Sequence, residues 1–419
     1  MTENTEQPIN RRSVLAAAAT APVWGALPWR QARAQAANTI RIGVLNDQSG
    51  MYRDLSGPGS THCVRQAIQE SGITMRGINV EVVQADHQNR PDVGSTIARQ
   101  WLDRDGVDVI IDVPTSSIAL AVNTLVRERN KVFLVSGAAT SDLTGSACSP
   151  NTIHWTYDTY MLAKSTGGAM VRAGGRTWFF ITADYAFGHA LERDVSNFVR
   201  AQGGQILGSV RHPFPGTTDF SSFLQQAQRS RAQVIALANA GADTTNSLKQ
   251  AGEFRITRGG TRIAGLLVFI TDVDSLGLET TQGLVLSETF YWDLNDRTRR
   301  FTQRLGQMPG NIRPSMVQAG CYSAALHYCK AVMDMGVAAA KASGVEVVNR
   351  MKAMPTSDDA FGEGTIRADG RKLHPCYLFQ VKTPQESSGR WDYYKLLETT
   401  PAEEAFRPLA EGGCALVRA

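Results

Sequence analysis

Residues 107–140 read VDVIIDVPTSSIALAVNTLVRERNKVFLVSGAAT and decide the fold. Two runs of strand length within it, 107–113 and 131–135, are almost continuously apolar, and a helical period separates them. Continuous valine and isoleucine is typical of parallel strands that are covered on both faces of a sheet. Each run is followed by small residues, Thr-Ser-Ser after the first and Ser-Gly-Ala-Ala-Thr after the second. The stretch therefore predicts a strand, helix and parallel strand, with small hydrogen-bonding residues after each strand.

The same alternation continues along the chain in two series. The first series predicts strands at 39–45, 78–85, 107–113 and 131–135, with helices at 59–69, 92–104 and 118–129. The second predicts strands at 177–182, 205–211, 233–238 and 262–270, with helices at 186–202, 220–229 and 243–254. Later segments at 283–290, 296–305, 315–335 and 345–354 are too few for a third domain and return to complete the first two. We expect an α/β protein with two doubly wound parallel-sheet lobes.

In an open parallel sheet, ligands bind beyond the carboxyl ends of the strands. This rule selects three loops on each lobe: 46–59, 114–117, 136–140, 184–188, 239–243 and 271–274. Two lobes that face each other would bring these loops to a shared cleft. The hydroxyl-rich turns at 115–117 and 136–140 are then either ordinary helix caps or two halves of one anion site.

The first 36 residues have the features of an export signal. Paired arginines, Arg11 and Arg12, precede a weakly apolar stretch at 16–27, and small residues follow at 34–36. This arrangement predicts a signal of the twin-arginine type that is cleaved after Ala36, or else after Ala34. We expect a mature protein in an oxidising compartment, because no other segment is long and apolar enough to cross a membrane.

Charge and cysteine content exclude several classes of protein. A net charge of +4 over 419 residues, without a basic run among aromatics, gives no indication of nucleic-acid binding. Six cysteines without a CxxC or a His/Cys cluster predict neither a zinc site nor a redox site. Cys148 and Cys414 lie in loop and tail sequence, and we predict a disulfide that ties the tail to the first lobe, with Cys376 as the rival partner.

Catalysis has little support in the sequence. The chain contains no GxSxG elbow, no P-loop and no HExxH motif. His154, His189 and His212 have no serine or cysteine partner at a recognisable spacing. We predict that the protein is not an enzyme and that it has no catalytic residues and no cofactor.

Short motifs in a fixed order give a family resemblance over the whole mature chain. They are IRIGV at 40–44, DYAFG at 184–188 and WDYY at 391–394. In their order they resemble the periplasmic solute-binding receptors of ABC importers, of the leucine/isoleucine/valine-binding type. The resemblance implies a type I periplasmic binding protein with two lobes joined by a three-crossing hinge. It implies an N-terminal lobe of 37–156 plus 288–355 and a C-terminal lobe and tail of 157–287 plus 356–419.

The resemblance also implies where a ligand carboxylate binds. The family's serine-rich turn corresponds to Thr115, Ser116 and Ser117, and its second turn to Ala138, Ala139 and Thr140. Hydroxyls and free N–H groups at two helix starts bind a carboxylate without a lysine or arginine. The alternative is that Ser116 and Thr140 only cap helices.

The far side of the predicted cleft carries one acidic residue and several aromatic residues. By the resemblance, Asp272 corresponds to the acid that meets a ligand's amino group, but the loop 239–243 lacks the family's tyrosine. Four aromatic residues are predicted to enclose the ligand: Tyr52, Trp155, Tyr157 and Tyr185. The ligand is then a small carboxylate, either an aromatic acid or a branched-chain amino acid. The resemblance implies that the protein is a monomer and that its partner is a membrane permease. The alternative functions are an exported sensory receptor and a periplasmic enzyme.

Overall fold

The computed structural model describes residues 38–417. The predicted export signal at 1–36 lies outside these residues. None of the helices within the described range combines the length and apolar character that a bilayer crossing requires.

Strands and helices alternate through most of the described chain. The strands are β1 Thr39–Asn46, β2 Asn79–Asp86, β3 Val109–Asp112, β4 Val132–Val135, β5 Thr152–His154, β6 Thr177–Ala183, β7 Gln205–His212, β8 Val234–Ala238, β9 Arg262–Gly265, β10 Val285–Glu288, β11 Thr356–Asp358, β12 Gly362–Gly364, β13 Cys376–Val381 and β14 Tyr394–Thr400. The helices are α1 Gly57–Ser71, α2 Pro91–Asp103, α3 Ser116–Glu128, α4 Thr159–Leu162, α5 Gly168–Arg172, α6 Ala186–Ala201, α7 Ser221–Arg229, α8 Ala242–Glu253, α9 Ile270–Leu276, α10 Leu278–Thr281, α11 Asp296–Leu305, α12 Met316–Met335, α13 Val337–Ala342, α14 Gly344–Ala353 and α15 Ala402–Ala405.

The first lobe is built on a parallel sheet of five strands in the order β2-β1-β3-β4-β5. β3 and β4 are buried along their whole length, whereas β2 at the edge is partly exposed. Central strands covered on both faces explain the continuous apolar runs. Later helices return to this lobe, since α12 packs on α1 and β3, α13 on β1, and α14 on β4.

The second lobe contains a parallel sheet in the order β7-β6-β8-β9. Two parallel-sheet lobes confirm the predicted fold class. The predicted strand 262–270 is too long, because β9 ends at Gly265 and α9 begins at Ile270. The backbone N–H of Phe269 donates to Asp272 Oδ2 at 2.9 Å and fixes the start of this helix.

An antiparallel sheet, β10-β13-β14, extends the second lobe. The sequence did not predict β13 or β14, and β14 is mostly exposed, so it lacks the alternating apolar pattern of a half-buried strand. Phe379 of β13 and Tyr394 of β14 share a core with Val268 and Val273 of the second lobe. The last strands of the chain therefore belong structurally to that lobe.

Three segments of chain pass between the lobes, at 155–158, 289–295 and 354–375. The third runs beside β5, where His154 N donates to Gly370 O at 2.9 Å and Lys372 N donates to His154 O at 3.1 Å. Arg371 is buried here and donates to Asp158 Oδ2 at 3.3 Å. Two of the three crossings are thus hydrogen-bonded to each other.

A disulfide joins Cys148 to Cys414 across 266 residues of sequence, with an S–S distance of 1.99 Å. Cys376, the rival partner considered from the sequence, is buried in β13 as a free thiol. Arg407 Nη2 donates to Ser141 O at 3.0 Å beside the disulfide. Because the tail leaves the second lobe and Cys148 belongs to the first, the disulfide is a covalent link between lobes in addition to the three crossings.

Replacing Cys148 and Cys414 together with serine is expected to lower the free energy of unfolding by about 2–5 kcal/mol, because the unfolded chain gains conformational freedom. Urea unfolding of the native protein and the double variant measures the difference. A reductant should produce the same loss in the native protein and no change in the variant, since the remaining cysteines, Cys63, Cys321, Cys329 and Cys376, are unpaired. Equal stability of the two proteins would contradict the prediction.

Candidate functional site

Loops from both lobes meet around a cavity with an empty volume of about 240 Å³. The first-lobe side comes from the loops after β1, β3 and β4 together with the first crossing. The second-lobe side comes from the segments after β6, β8 and β9. The lining residues are Tyr52, Leu55, Pro114, Gly137, Ala139, Tyr157, Tyr185, Phe187, Ala240, Leu267 and Phe269. The lining residues, all within the described range 38–417, present aromatic and aliphatic surface, and none of them carries a charged side chain.

Aromatic rings form opposite walls of this cavity. The hydroxyl oxygens of Tyr52 and Tyr185, one from each lobe, are 2.6 Å apart. Phe214 stacks on Tyr185 with ring centroids 3.9 Å apart. Tyr157 meets Phe269 edge to face at 6.0 Å and donates through its hydroxyl to Gly137 O at 2.7 Å. The rings are therefore held in place by stacking and by hydrogen bonds before any ligand contact is considered.

The hydroxyl groups of the two small-residue turns already have protein partners. Thr115 Oγ1 donates to Asn89 Oδ1 at 2.6 Å. Ser116 Oγ accepts from Thr140 N at 3.3 Å, and Thr140 Oγ1 accepts from Asp142 N at 3.4 Å. These bonds bring the two turns together, as parallel adjacent strands require. They also give Ser116 and Thr140 a structural role besides any ligand contact.

Backbone amides in the same turns remain available. Ser116 and Ser117 begin α3, so their N–H groups precede the first bond within the helix, from Ala119 N to Thr115 O. Within residues 38–417, no acceptor is recorded for the N–H groups of Ala138 and Ala139, which follow β4. Free amides at a helix start attract an anion. The turns can therefore hold a carboxylate with backbone donors.

Two buried carboxylates support these loops, and the sequence did not indicate either of them. Asp47 accepts from the backbone N–H groups of Gly50 and Tyr52, at 2.6 and 2.8 Å, and from Asn89 Nδ2 at 2.6 Å. It thus fixes the loop that carries Tyr52. Asp112, at the end of β3, accepts from Asn46 Nδ2 and Ser56 Oγ through Oδ2, and burial raises its pKa.

A model of the periplasmic binding protein family matches residues 39–389. The chain belongs to this family. Its known relatives are substrate-binding proteins of ABC transporters, so the protein is a binding protein and not an enzyme. Family membership also implies a periplasmic location. Within the described range, no group of three or more histidine, cysteine, aspartate or glutamate side chains is placed to hold a metal ion.

Solved structures and one curated relative resemble this periplasmic binding protein over most of its length. A periplasmic binding protein from Burkholderia mallei is 45% identical with a TM-score of 0.87, covering 91% of this chain and 100% of that one. A branched chain amino acid ABC transporter periplasmic ligand-binding protein from Burkholderia xenovorans is 39% identical with a TM-score of 0.77, covering 90% and 99%. The Leu/Ile/Val-binding protein homolog 6 of Brucella melitensis is 24% identical over 329 residues, which are 77% of this chain and 83% of the relative.

A more distant structure shares the fold alone. It is a solute binding protein of an ABC transporter from R. palustris in complex with 4-hydroxybenzoate. It is 21% identical with a TM-score of 0.78, and the match covers 88% of this chain and 98% of that one.

Seven residues predicted to contact the ligand are absent from the lining of the cavity in this binding protein: Thr115, Ser116, Ser117, Ala138, Thr140, Trp155 and Asp272. Trp155 is buried in the first crossing and donates through Nε1 to Ser323 Oγ at 2.9 Å. Asp272 accepts from Phe269 N at the start of α9, and burial raises its pKa to about 7. The predicted residues Tyr52, Tyr157 and Tyr185 do line it.

Several lining residues were missed, for an identifiable reason. Leu267 and Phe269 lie in the apolar run 266–269, which falls within the predicted strand 262–270 but forms the loop before α9. Pro114 and Gly137 lie inside the two predicted turns but carry no polar side chain, so the search for hydrogen-bond donors passed over them. Phe187 was noted only as a neighbour of Tyr185.

A buried carboxyl group without a hydrogen-bond partner follows Ala240 on the second lobe. Asp243, in the first turn of α8, is fully buried, and neither of its oxygens has a recorded partner among residues 38–417. His212 Nδ1 lies 4.0 Å away. Burial raises the pKa of Asp243 to about 8 and lowers the pKa of His212. The folded protein therefore favours the protonated carboxyl at neutral pH.

Replacing Asp243 with asparagine is expected to stabilise the protein increasingly as the pH rises from about 4 to about 8. The pKa is about 8 in the folded protein, so the folded state binds this proton more tightly than the unfolded chain, and the stability it contributes is lost as pH rises through this window. The free energy of unfolding of the variant, relative to that of the native protein, should rise by at most about 1.4 kcal/mol per pH unit. Urea unfolding between pH 4 and pH 9 measures it.

Glu253→Gln, at the exposed end of the same helix, is the matched control and should give a difference that does not vary with pH. Native and Asp243→Asn stability curves that run parallel across this range would show that Asp243 is not held protonated by burial.

Proposed function

We propose that this periplasmic binding protein is the substrate-binding component of an ABC importer and captures a small aromatic carboxylate in the cavity between its lobes. The observation that carries the proposal is the lining, which is rich in aromatic rings and lacks charged side chains. Such a surface favours a flat apolar ligand body, since desolvating a second charge there would be costly.

The carboxylate end of the ligand would lie against the first lobe. The amides of Ser116, Ser117, Ala138 and Ala139 would supply N–H donors, and Ser116 Oγ, which accepts from Thr140 N, links the two turns. Thr115 contributes by fixing Asn89 and the loop behind it. Backbone donors at the ends of two parallel strands satisfy a carboxylate without a cationic side chain.

The ring of the ligand would lie among Tyr52, Tyr157, Tyr185, Phe187 and Phe269. Aromatic pairs favour offset-stacked or edge-to-face contacts, and Tyr157 and Phe269 already show the second geometry. The solute in complex with the R. palustris protein, 4-hydroxybenzoate, is a small aromatic carboxylate.

A branched-chain amino acid is the second candidate. The names of the Burkholderia xenovorans and Brucella relatives support it. An amino acid would need an acceptor for its ammonium group, and Asp272 is the residue that the family resemblance offers. Because Asp272 already accepts from Phe269 N at the start of α9, and no residue of the lining carries a charge, the aromatic acid is favoured.

Transport would follow from closure of the hinge. A ligand that contacts both lobes only in the closed form shifts the population toward that form, which a membrane permease then recognises. We further propose that the protein is exported by the twin-arginine route with cleavage of residues 1–36, acts as a monomer, and uses neither a cofactor nor a nucleic-acid partner.

Thermal unfolding in the presence of candidate solutes tests the proposed class. Benzoate and 4-hydroxybenzoate should raise the Tm, because a ligand at 100 times its Kd stabilises the folded state by about 2.7 kcal/mol. Leucine and valine at the same concentration should have little effect. Stabilisation by leucine but not by either benzoate would replace the aromatic acid with the amino acid.

Replacing Ser116 and Thr140 together with alanine should weaken aromatic carboxylate binding by about tenfold or more, since hydrogen bonds to a charged group are lost. Isothermal titration measures the Kd. Thr124→Ala, on the exposed face of the same helix as Ser116, is the control and should bind as the native protein does. An unchanged Kd in a folded double variant would remove these hydroxyls from the site.

A further inference from the structure

The polar atoms at the inter-lobe end of the cavity belong to two phenols. Tyr52 lies on the first lobe and Tyr185 on the second, both line the cavity, and their oxygens are 2.6 Å apart. Burial raises the pKa of both tyrosines, so both hydroxyls keep their protons. This end of the cavity therefore presents two neutral hydroxyl groups.

The pair retains hydrogen-bonding capacity that the protein does not use. One phenol donates to the other, which leaves one O–H group and several lone pairs. Within residues 38–417, neither hydroxyl has a second recorded partner. A ligand hydroxyl placed beside the pair can accept from the remaining O–H and donate to a phenol oxygen.

Both tyrosines are held in position by other groups. Phe214 stacks on Tyr185 at 3.9 Å, and its centroid lies 5.8 Å from that of Tyr52. Asp47 accepts from Tyr52 N at 2.8 Å. A hydroxyl pair oriented in this way can distinguish ligands by geometry, because little side-chain freedom is lost on binding.

A ligand ammonium would meet only neutral oxygens at this end. No lining residue of the described cavity is acidic. Asp272 accepts from Phe269 N. Asp243 is buried outside the lining, and its raised pKa of about 8 favours the neutral carboxyl. Burying an ammonium against neutral oxygens without a counter-ion costs several kcal/mol or more. The far end of the cavity thus suits a neutral hydroxyl and disfavours a cation.

We propose that Tyr52 and Tyr185 determine specificity, selecting an aromatic carboxylate with a hydroxyl at its far end over an unsubstituted ring or one that ends in an ammonium group. This inference rests on the proposed function and narrows its substrate class. It assigns to the pair a role in choosing among aromatic acids as well as in enclosing them.

Calorimetric Kd values for three ligands test the proposal: 4-hydroxybenzoate, benzoate and 4-(aminomethyl)benzoate, which carries an ammonium group in the same place. The native protein should bind 4-hydroxybenzoate about fivefold to tenfold more tightly than benzoate, as one net hydrogen bond provides. It should bind the ammonium-bearing acid more weakly than benzoate. In the double variant Tyr52→Phe/Tyr185→Phe the ratio of the two benzoate Kd values should fall to about one, because neither hydroxyl of the pair remains to bond the ligand.

The ratio of the two benzoate Kd values separates an effect on ligand specificity from an effect on closure of the lobes. The double variant also loses the hydrogen bond between the lobes, which weakens the binding of both benzoates alike and cancels in the ratio. Tyr160→Phe makes the same chemical change in a separate cavity beside Arg193 and Arg407, and it should keep the native ratio.

The outcomes are distinguishable. Tight and equal binding of the two benzoates by the native protein, or a native ratio in the double variant, would overturn this inference and leave the proposed function standing. Binding of none of the three acids would overturn the proposed function and this inference with it.

Discussion

The close contact between the turns after β3 and β4 is the constraint on which the rest of the site depends. A Cβ atom at Gly137 would lie 2.6 Å from Pro114 Cα and 2.8 Å from Asp112 Oδ1, so only glycine permits this approach. Asp112 is buried and holds Asn46 and Ser56, which connects the same point to the loop after β1. Three loops are thereby fixed against one another, and two of them, after β3 and β4, carry the free backbone amides.

That constraint explains how the first lobe can receive a negative charge without a basic residue. The side chains of the turns form hydrogen bonds within the protein: Thr115 donates to Asn89, and Ser116 accepts from the backbone N–H of Thr140. Other backbone N–H groups of the turns remain free to bind a ligand. Backbone donors cost little conformational entropy when a ligand binds, because the loops are already ordered. The lining from the second lobe carries no charge, so the cavity combines backbone donors on the first lobe with aromatic rings and the Tyr185 hydroxyl on the second.

The sequence predicts this arrangement well where periodicity carries the information. The helix at 296–305 has the predicted bounds, β6 differs by one residue, and the neighbouring turns follow from parallel strand order. Prediction fails where a buried apolar run is not a strand, as at 266–269, and where a strand is too exposed to show a pattern, as in β14. Asp272 was placed by resemblance and Trp155 as one of several aromatic residues near the cleft, yet an indole N–H and a carboxylate that are satisfied inside the protein give no sign of this in sequence.

Closure of the two lobes draws on contacts that the protein makes with itself. Tyr52 meets Tyr185 across the cavity, and Ser141 Oγ of the first lobe donates to Asp194 Oδ2 of the second at 2.7 Å. The disulfide and the three crossings restrict the motion that separates the lobes. A ligand shifts such an equilibrium only by the difference between its affinities for the two forms. Contacts with the first-lobe amides are available in either form, so the discriminating contacts must come from second-lobe residues such as Tyr185 and Phe269, which the ligand meets only after closure.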